Sequence, residues 1–393
     1  ILAAIVTLAF FKIRQPLIIG YLFAGMLIGP LSPLWTSFLP ANGGSASVTG
    51  IGILSDISAL NLFADIGVIL LLFVIGIEFP FAKIRTIGKV AVGAGTLGLF
   101  ATLGVVFLAA GAMGLNFMDS LFIAAALSIS STAIIIKVLE EAGKIKKESS
   151  ILILGVLIVE DVIAVILIAS LESIGLVGTV SIENVVVVAV VAAGLIVGTF
   201  TIARRVIPPL IDKVASAENR EILLLSVLGV CFGYALLANV VGLSVAIGAF
   251  LAGVLVAESR SAEVSKILSS PIKDMFVAIF FVSVGALMDI TQLESYIFLA
   301  IALIAVTMVM KFGGNILGNM IFRQPKGKSL RVAFALSAPR GEFSIIIIKV
   351  GVDMGVVSAF LFPLIGLITI ITAFIAPFLT KLGDKIIPKL TDS

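Results

Sequence analysis

Two adjacent carboxylates, Glu160 and Asp161, lie in the middle of an apolar run, 151–171, that is otherwise free of charge. A charge at the centre of a bilayer costs about 2.5–3.5 kcal/mol on insertion scales. Two neighbouring carboxylates do not both remain ionised in such surroundings unless a cation neutralises one of them. The pair therefore predicts a buried site that can hold either a metal cation or a proton.

A lysine in another apolar run, Lys311, is predicted to lie at a similar depth, and it offers Glu160 an ion-pair partner. Asp161 then points about 100° away around the helix and can face a water-filled pocket. We predict that Asp161 is charged when it holds a metal cation and neutral when it holds a proton. A salt bridge that only fixes helix packing would explain Glu160 and Lys311, but it would leave Asp161 uncompensated.

Hydroxyl groups and a second pair of charges accompany these residues. Hard monovalent cations prefer oxygen ligands, and the stretch SISST, 128–132, is predicted to supply them from Ser130, Ser131 and Thr132. In the stretch SAPRGE, 337–342, the charges of Arg340 and Glu342 are predicted to neutralise each other and the exposed ends of a broken helix. A purely structural role for these two charges is equally open.

The composition places these charges in a membrane protein and limits the chemistry. Of 393 residues, 60% are hydrophobic and only 12% are charged, against about 25% charged in a typical soluble domain. The chain has no histidine, so proton chemistry near neutral pH depends on carboxylates or lysines. No metal cluster and no nucleophile beside a base is visible, so we expect a transporter without a cofactor rather than an enzyme. The net charge of +3 gives no reason to expect nucleic acid, and membrane lipid is the expected surrounding.

The apolar runs predict an all-α polytopic membrane protein. A helix needs about 20 mainly apolar residues to cross the hydrocarbon core. Thirteen spans are predicted on this basis, at 1–11, 16–31, 58–79, 86–112, 117–138, 149–171, 184–203, 221–238, 240–257, 271–289, 295–322, 330–350 and 355–380.

Basic residues give an independent prediction of orientation, because short cytoplasmic loops collect Lys and Arg. Nearly all of the 26 basic residues fall in connections that follow odd-numbered spans. We therefore expect a multi-pass protein of the plasma membrane with its N-terminus outside and its C-terminus in the cytoplasm.

A repeated pattern predicts that the chain contains two inverted halves. The segments 20–29 and 248–257 both have the form G-x-x-x-A-G-x-L and are predicted to run in opposite directions. The halves would cover 1–171 and 221–380, joined by the span at 184–203. Inverted repeats are typical of secondary transporters and predict broken helices around a site near the midplane. The hydroxyl cluster in span five and Pro339 with Gly341 in span twelve mark these breaks.

Four stretches together resemble the cation:proton antiporter superfamily, in the branch with NapA-type sodium/proton antiporters and Kef-type potassium efflux proteins. They are the pair Glu160–Asp161, PIKDMFVAIFFVSVGALMD at 271–289, KFGGN at 311–315 and PRGEF at 339–343. The resemblance covers nearly the whole chain, 1–393, as one transmembrane unit. It implies a NapA/NhaA-like fold with two crossed discontinuous helices, core helices in about 86–171 and 295–380, a scaffold that forms a homodimer, and Asp161 as the carrier.

The expected function is secondary active Na⁺/H⁺ exchange by alternating access, with Asp161 binding either Na⁺ (or K⁺) or H⁺. NapA-type members usually carry Asp-Asp at the acidic pair and Kef-type members Gln-Asp, whereas this chain has Glu-Asp. Three alternatives remain open: a Kef-type K⁺/H⁺ antiporter with a C-terminal regulatory domain absent from this chain, a sodium-coupled organic-anion symporter, and a gated ion channel.

Overall fold

The computed structural model describes an all-helical chain. It covers residues 2–13, 15–29, 31–32, 57–78, 88–141, 143–144, 147–177, 190–191, 194–195, 197–241, 245–286 and 293–391, and these contain no β-strand. A π-helical turn, Thr199–Ala203, precedes one of the helices. The α-helices are α1 (Leu2–Lys12), α2 (Leu17–Ile28), α3 (Ile57–Glu78), α4 (Lys89–Ala112), α5 (Phe117–Ser128), α6 (Thr132–Glu141), α7 (Glu148–Val177), α8 (Arg204–Ala215), α9 (Arg220–Val240), α10 (Val245–Ala257), α11 (Ala262–Ala286), α12 (Leu293–Ile321), α13 (Lys326–Ser337), α14 (Glu342–Asp353) and α15 (Leu361–Thr391).

Helix lengths and composition identify a multi-span membrane protein. Seven helical segments in the described part of the chain are long and apolar enough to cross a bilayer, and four shorter apolar helices accompany them. The predicted spans at 86–112, 221–238 and 295–322 coincide closely with α4, α9 and α12. The predicted span at 184–203 lies partly outside the described residues, so the count of thirteen stays a prediction.

Several segments that were predicted as loops are helical, and these predictions were wrong. Helix α11 begins at Ala262 rather than at 271 and accommodates Pro271 in its interior, which places Lys266 on the helix. Helix α15 continues to Thr391 instead of ending near 380. The predicted boundaries followed hydropathy, but helical hydrogen bonding continues past the hydrocarbon core wherever charged side chains can reach water.

The chain forms two compact units. The first comprises Ile1–Ile53, Ala82–Ile168 and Gly285–Ser393, and the second comprises Leu54–Phe81 and Ala169–Val284. The predicted division into core and scaffold helices stays a prediction. The residues with predicted chemistry, from Ser130 to Asp161 and from Lys311 to Glu342, all belong to the first unit.

The two G-x-x-x-A-G-x-L segments make equivalent contacts within their own units. In the second unit, a Cβ on Gly253 of α10 would collide with the carbonyl oxygen of Phe73 in α3. In the first unit, a Cβ on Gly285 would collide with the carbonyl oxygen of Leu22 in α2. Each glycine thus permits backbone contact between a repeat segment and a helix of the other half: the segment 248–257 meets α3 at Phe73, and the segment 20–29 meets α11 at Gly285. This equivalence supports the inverted repeat, which stays a prediction.

Small residues bring α12 against α4 and so hold Lys311 in place. A Cβ on Gly318 would lie 2.7 Å from Cα of Ala94, and one on Gly314 would lie 3.1 Å from Cα of Gly98. Such close backbone approach is the usual way that helices associate in a bilayer, where the hydrophobic effect between helices is absent. The interface lies within two turns of Lys311 and therefore fixes the direction in which that side chain leaves α12.

We expect Gly318→Leu to destabilise the protein, because the new side chain would overlap the backbone of α4. Overpacking of this kind costs about 1–3 kcal/mol, and the midpoint of thermal unfolding in detergent should fall accordingly. Gly313→Leu is the matched control, since a Cβ on Gly313 meets nothing within 4 Å. Equal unfolding midpoints for the two variants would contradict the close α4–α12 contact.

Candidate cation and proton site

The first helix break separates α5 from α6 at residues 129–131. Ser128 Oγ donates to the carbonyl of Ala125 at 2.8 Å, so a side chain competes for the last turn of α5. Ile129 is extended, with φ −100° and ψ 133°, and the next helix begins at Thr132. The hydroxyl cluster thus ends one half-helix and begins another, as the sequence predicted for this span.

The second break, 338–341, separates α13 from α14 and lies directly against the first. The backbone N–H of Ser131 donates to the carbonyl of Pro339 at 2.9 Å, and Ser344 Oγ donates to the carbonyl of Ala126 at 2.6 Å. A Cβ on Gly341 would lie 2.5 Å from Cβ of Ser131, so only glycine allows this approach. The two breaks thus supply hydrogen-bond partners to each other's backbone groups, as broken backbone at membrane depth requires.

Glu160 and Lys311 form a fully buried ion pair, with Nζ of Lys311 2.8 Å from Oε1 of Glu160. Lys311 also donates to the carbonyl of Ser128, at the end of α5. The other carboxylate oxygen of Glu160 accepts the backbone N–H of Ser130 at 2.9 Å. Both charges are therefore attached to the first break, and the hydrogen bonds offset part of the cost of burying the pair.

Asp161 lies beside this pair but has a different environment. Asp161 is only half-buried. The Thr132 hydroxyl donates to its carboxylate, with Oγ1 2.9 Å from Oδ2 and 3.1 Å from Oδ1. Thr132 is the first residue of α6, so the carboxylate faces the positive end of a helix dipole. The position suits a carboxylate that exchanges its counter-ion.

The three hydroxyls that were predicted as cation ligands have separate positions. The Thr132 hydroxyl contacts Asp161, as described above. Ser130 Oγ donates instead to the carbonyl of Leu336 at 3.1 Å, and Ser131 Oγ donates to Oε2 of Glu342 at 3.0 Å. The structure thus brings one predicted ligand to Asp161 and directs two toward the second break. Their roles as ligands stay predictions.

Arg340 and Glu342 occupy opposite helix ends at the second break. The fully buried guanidinium of Arg340 donates to the carbonyls of Pro339 and Ser337, both at 3.0 Å, and Ser337 is the last residue of α13. Glu342 is the first residue of α14 and accepts the Ser131 hydroxyl. Each charge therefore compensates a helix end of opposite sign; their predicted mutual neutralisation stays a prediction.

Sequence reasoning missed two hydroxyl residues that support the breaks. Thr372 Oγ1 accepts the backbone N–H of Arg340 at 3.2 Å and donates to the carbonyl of Ile368 at 2.8 Å. Ser344 ties α14 to α5. The only signal in the sequence was a lone hydroxyl within an apolar run, which is equally typical of ordinary helix packing.

A cavity of about 530 Å³ lies along the first turns of α7 within the first unit. Glu148 and Lys328 line one end of the cavity. The lining residue farthest along α7 is Ile158, three residues before Asp161. The lining between them is mainly apolar. The cavity thus extends along α7 to within about one helical turn of the acidic pair.

Replacing one member of the Glu160–Lys311 pair should destabilise the fold more than replacing both. Lys311→Met leaves a buried carboxylate without its counter-charge, and we expect a loss of about 3–5 kcal/mol. The double variant Glu160→Leu with Lys311→Met should be more stable than Lys311→Met alone, as measured by unfolding in detergent. Lys328→Met, which removes a surface partner of Glu148 at 3.8 Å, is the control and should change little. Additive losses in the double variant would contradict a coupled pair.

Comparisons with known proteins agree on one family. The family model described as "Sodium/hydrogen exchanger, transmembrane" matches residues 1–382. The K(+)/H(+) antiporter subunit KhtU of Bacillus subtilis is 28% identical over 98% of this chain and 92% of its own length. The high-affinity Na(+)/H(+) antiporter NhaS3 of Synechocystis is also 28% identical, over 93% of this chain and 84% of its own.

A solved structure shows the same fold. The sodium proton antiporter MjNhaP1 from Methanocaldococcus jannaschii matches with a TM-score of 0.74 and 18% identity, over 98% of this chain and 96% of that one. The NhaA-like fold that the resemblance implied is therefore present. The chain belongs to the transmembrane sodium/hydrogen exchanger family and, with it, to the cation:proton antiporter superfamily.

Proposed function

We propose that this protein exchanges a monovalent cation, preferentially Na⁺, for protons by alternating access, with Asp161 as the shared binding residue. The observation that carries the proposal is the contrast within the acidic pair. Both carboxylate oxygens of Glu160 are engaged by Lys311 and by the Ser130 N–H, whereas Asp161 is half-buried and held by a hydroxyl. A cation can reach Asp161 and take the Thr132 oxygen as a ligand.

Competition at Asp161 follows from its surroundings. Without a bound cation, a carboxylate at this depth takes up a proton rather than remain charged. Na⁺ replaces that proton, because an oxygen-rich site satisfies a hard cation. Either occupant neutralises the Asp161 carboxylate itself, so Asp161 can be carried across the membrane in both states.

The ion pair supplies a second proton in this mechanism. A cation at Asp161 brings positive charge close to Lys311, whose ammonium is stabilised by Glu160. Loss of a proton from Lys311 relieves that repulsion and leaves Glu160 as a second negative charge for the cation. Two protons then move for each cation, and transport becomes sensitive to voltage by about 2.3 kcal/mol per 100 mV for each net charge.

The cavity beside α7 is our candidate for the approach to the site. Lys328 and Glu148 line one end of it, and the positive-inside rule assigns the side with the basic connections to the cytoplasm. We further propose that the N-terminus is outside, that the protein is in the plasma membrane and that it works as the homodimer implied by the resemblance.

The cavity does not reach Asp161 itself. Ile158 lies between the cavity and Asp161 along α7, and the site is reached from this side when that residue moves aside.

Sodium is preferred over potassium in this proposal because Glu160 keeps the charge and the lysine partner that electrogenic exchange requires. KhtU is named a K(+)/H(+) antiporter and NhaS3 a Na(+)/H(+) antiporter, and both are 28% identical to this chain. Sequence identity therefore does not distinguish Na⁺ from K⁺ as the transported cation. K⁺/H⁺ exchange is the second candidate. Proton flux in vesicles driven in turn by Na⁺, Li⁺ and K⁺ gradients separates the two, and flux of labelled organic acids identifies a symporter.

Asp161→Asn should abolish cation-driven proton flux in reconstituted vesicles, because the amide can neither bind a proton nor balance Na⁺. Asp274→Asn is the matched control, since Asp274 is exposed beside Lys273, and it should retain full flux. Full activity in Asp161→Asn, with the protein correctly inserted, would end the proposal that this residue is the carrier.

Lys311→Gln should retain exchange but lose its dependence on voltage, because glutamine can hydrogen-bond to Glu160 without carrying a proton. The measurement is the initial rate of proton flux at membrane potentials between 0 and about −100 mV, the range over which one net charge contributes about 2.3 kcal/mol. The wild type should accelerate with potential and the variant should not. An unchanged voltage response in Lys311→Gln would exclude the lysine as the source of the second proton.

A further inference from the structure

A small cavity at the basic end of the first unit has no role in the proposed exchange. Its volume is about 20 Å³, and it lies where the segment before α7 meets α13 and α15. We call it the basic pocket; its polar lining residues are Lys144, Lys147, Ser149, Ser150, Arg331 and Thr380, and its apolar lining is Leu139, Ile153 and Ala335.

The charged side chains among the described lining residues of the basic pocket are all cationic. They come from two different segments of the chain, and Glu148 lies next to the lining residue Ser149 without being among the described lining residues itself. Arg331 comes from α13, whereas Lys144 and Lys147 precede α7. Cationic residues at this face are expected from the positive-inside rule, but that rule does not require them to converge on one cavity with hydroxyl groups.

Ser149 provides an independent indication of a ligand. Its side chain is only 7% exposed and lines the pocket, yet it forms no hydrogen bond with any part of the chain that the structure describes. Ser150, by contrast, donates to the carbonyl of Lys144 at 2.8 Å and fixes the segment before α7. Ser149 is thus a buried donor directed into a basic cavity.

Helix α7 adds an electrostatic contribution. It begins at Glu148, so Ser149 is in its first turn, where backbone N–H groups have no acceptor within the helix. A long helix places partial positive charge at this end. Three cations, a buried hydroxyl and a helix N-terminus together form the chemistry that recognises phosphate.

We propose that the basic pocket binds a phosphate group, carried either by an anionic phospholipid headgroup or by a free phosphate. A volume of about 20 Å³ admits little more than one water-sized group, so a phosphate oxygen enters and the rest of the ligand stays at the mouth. In this proposal the planar guanidinium of Arg331 donates two N–H groups to two phosphate oxygens, and the ammonium groups of Lys144 and Lys147 add positive charge. The proposal is independent of the proposed transport mechanism.

Binding there would connect the elements that hold the two breaks. Leu139, Ile153 and Ala335 belong to one packed cluster with Leu157 of α7 and Leu336 of α13. Leu157 precedes Glu160 by about one turn, and the carbonyl of Leu336 accepts the Ser130 hydroxyl. A ligand that draws α7 and α13 together therefore stabilises the packing on which the ion site depends.

Ligand-dependent shifts of the unfolding midpoint test the proposal on the purified chain in neutral detergent. Inorganic phosphate is compared with sodium chloride at equal ionic strength, and short-chain phosphatidylglycerol with short-chain phosphatidylcholine. We expect the wild type to be stabilised by phosphatidylglycerol, by inorganic phosphate or by both. A shift with the lipid alone assigns a headgroup, and a shift with inorganic phosphate alone assigns a free phosphate.

Arg331→Gln and Ser149→Ala should each raise the apparent Kd about tenfold, since each removes a hydrogen bond to a charged group. Ser149→Ala is the safer variant, because the hydroxyl forms no hydrogen bond within the part of the chain that the structure describes. Lys326→Gln removes an exposed charge from the same helix α13 and should leave the Kd unchanged. No shift with either ligand, or equal losses in Arg331→Gln and Lys326→Gln, would overturn the proposal.

Discussion

The structure depends on how two broken helices are neutralised among buried side chains. Each break leaves carbonyls at one helix end and N–H groups at the other, and their partial charges act strongly in a low dielectric. Cations compensate the carbonyl ends: Lys311 at α5 and Arg340 at α13. Carboxylates compensate the amide ends, with Asp161 held by Thr132 at α6 and Glu342 at α14. The four charges are thus part of the backbone's electrostatics as well as candidates for ion chemistry.

Close contact between the breaks makes this arrangement stable. The Ser131 N–H is bonded to the Pro339 carbonyl, and Gly341 removes the side chain that would separate them. Lys311 enters from α12, whose glycines pack on α4. A buried polar network stabilises a fold only when nearly every member has a partner, and here Ser130, Ser131 and Ser344 each find a partner across the two breaks. Small residues and hydroxyls are therefore as necessary to the site as the carboxylates.

The sequence could predict the site's main features because they violate ordinary membrane composition. Glu160, Asp161 and Lys311 are costly in an apolar run, so their presence indicated a pair, and Pro339 with Gly341 indicated a break. The destinations of Ser130 and Ser131 could not be predicted, since a hydroxyl can bond to any nearby carbonyl and only the crossing of tertiary elements selects Leu336 and Glu342. The predicted helix ends were wrong for a different reason: hydropathy indicates where the hydrocarbon core lies, whereas hydrogen bonding and capping determine where a helix ends.

The two neighbouring acids, Glu160 and Asp161, contact different residues of the first break, and they therefore act on different half-helices. Glu160 accepts the backbone N–H of Ser130 and holds Lys311 against the carbonyl of Ser128, so any change in its charge acts on the end of α5. Asp161 acts through the Thr132 side chain at the beginning of α6. In the proposed exchange, a change of occupant at Asp161 would act on α6, whereas Glu160 contacts the end of α5. Ser131 lies between Ser130 and Thr132 and is bonded to Pro339, so in this proposal a change at Asp161 would reach the second break through that hydrogen bond.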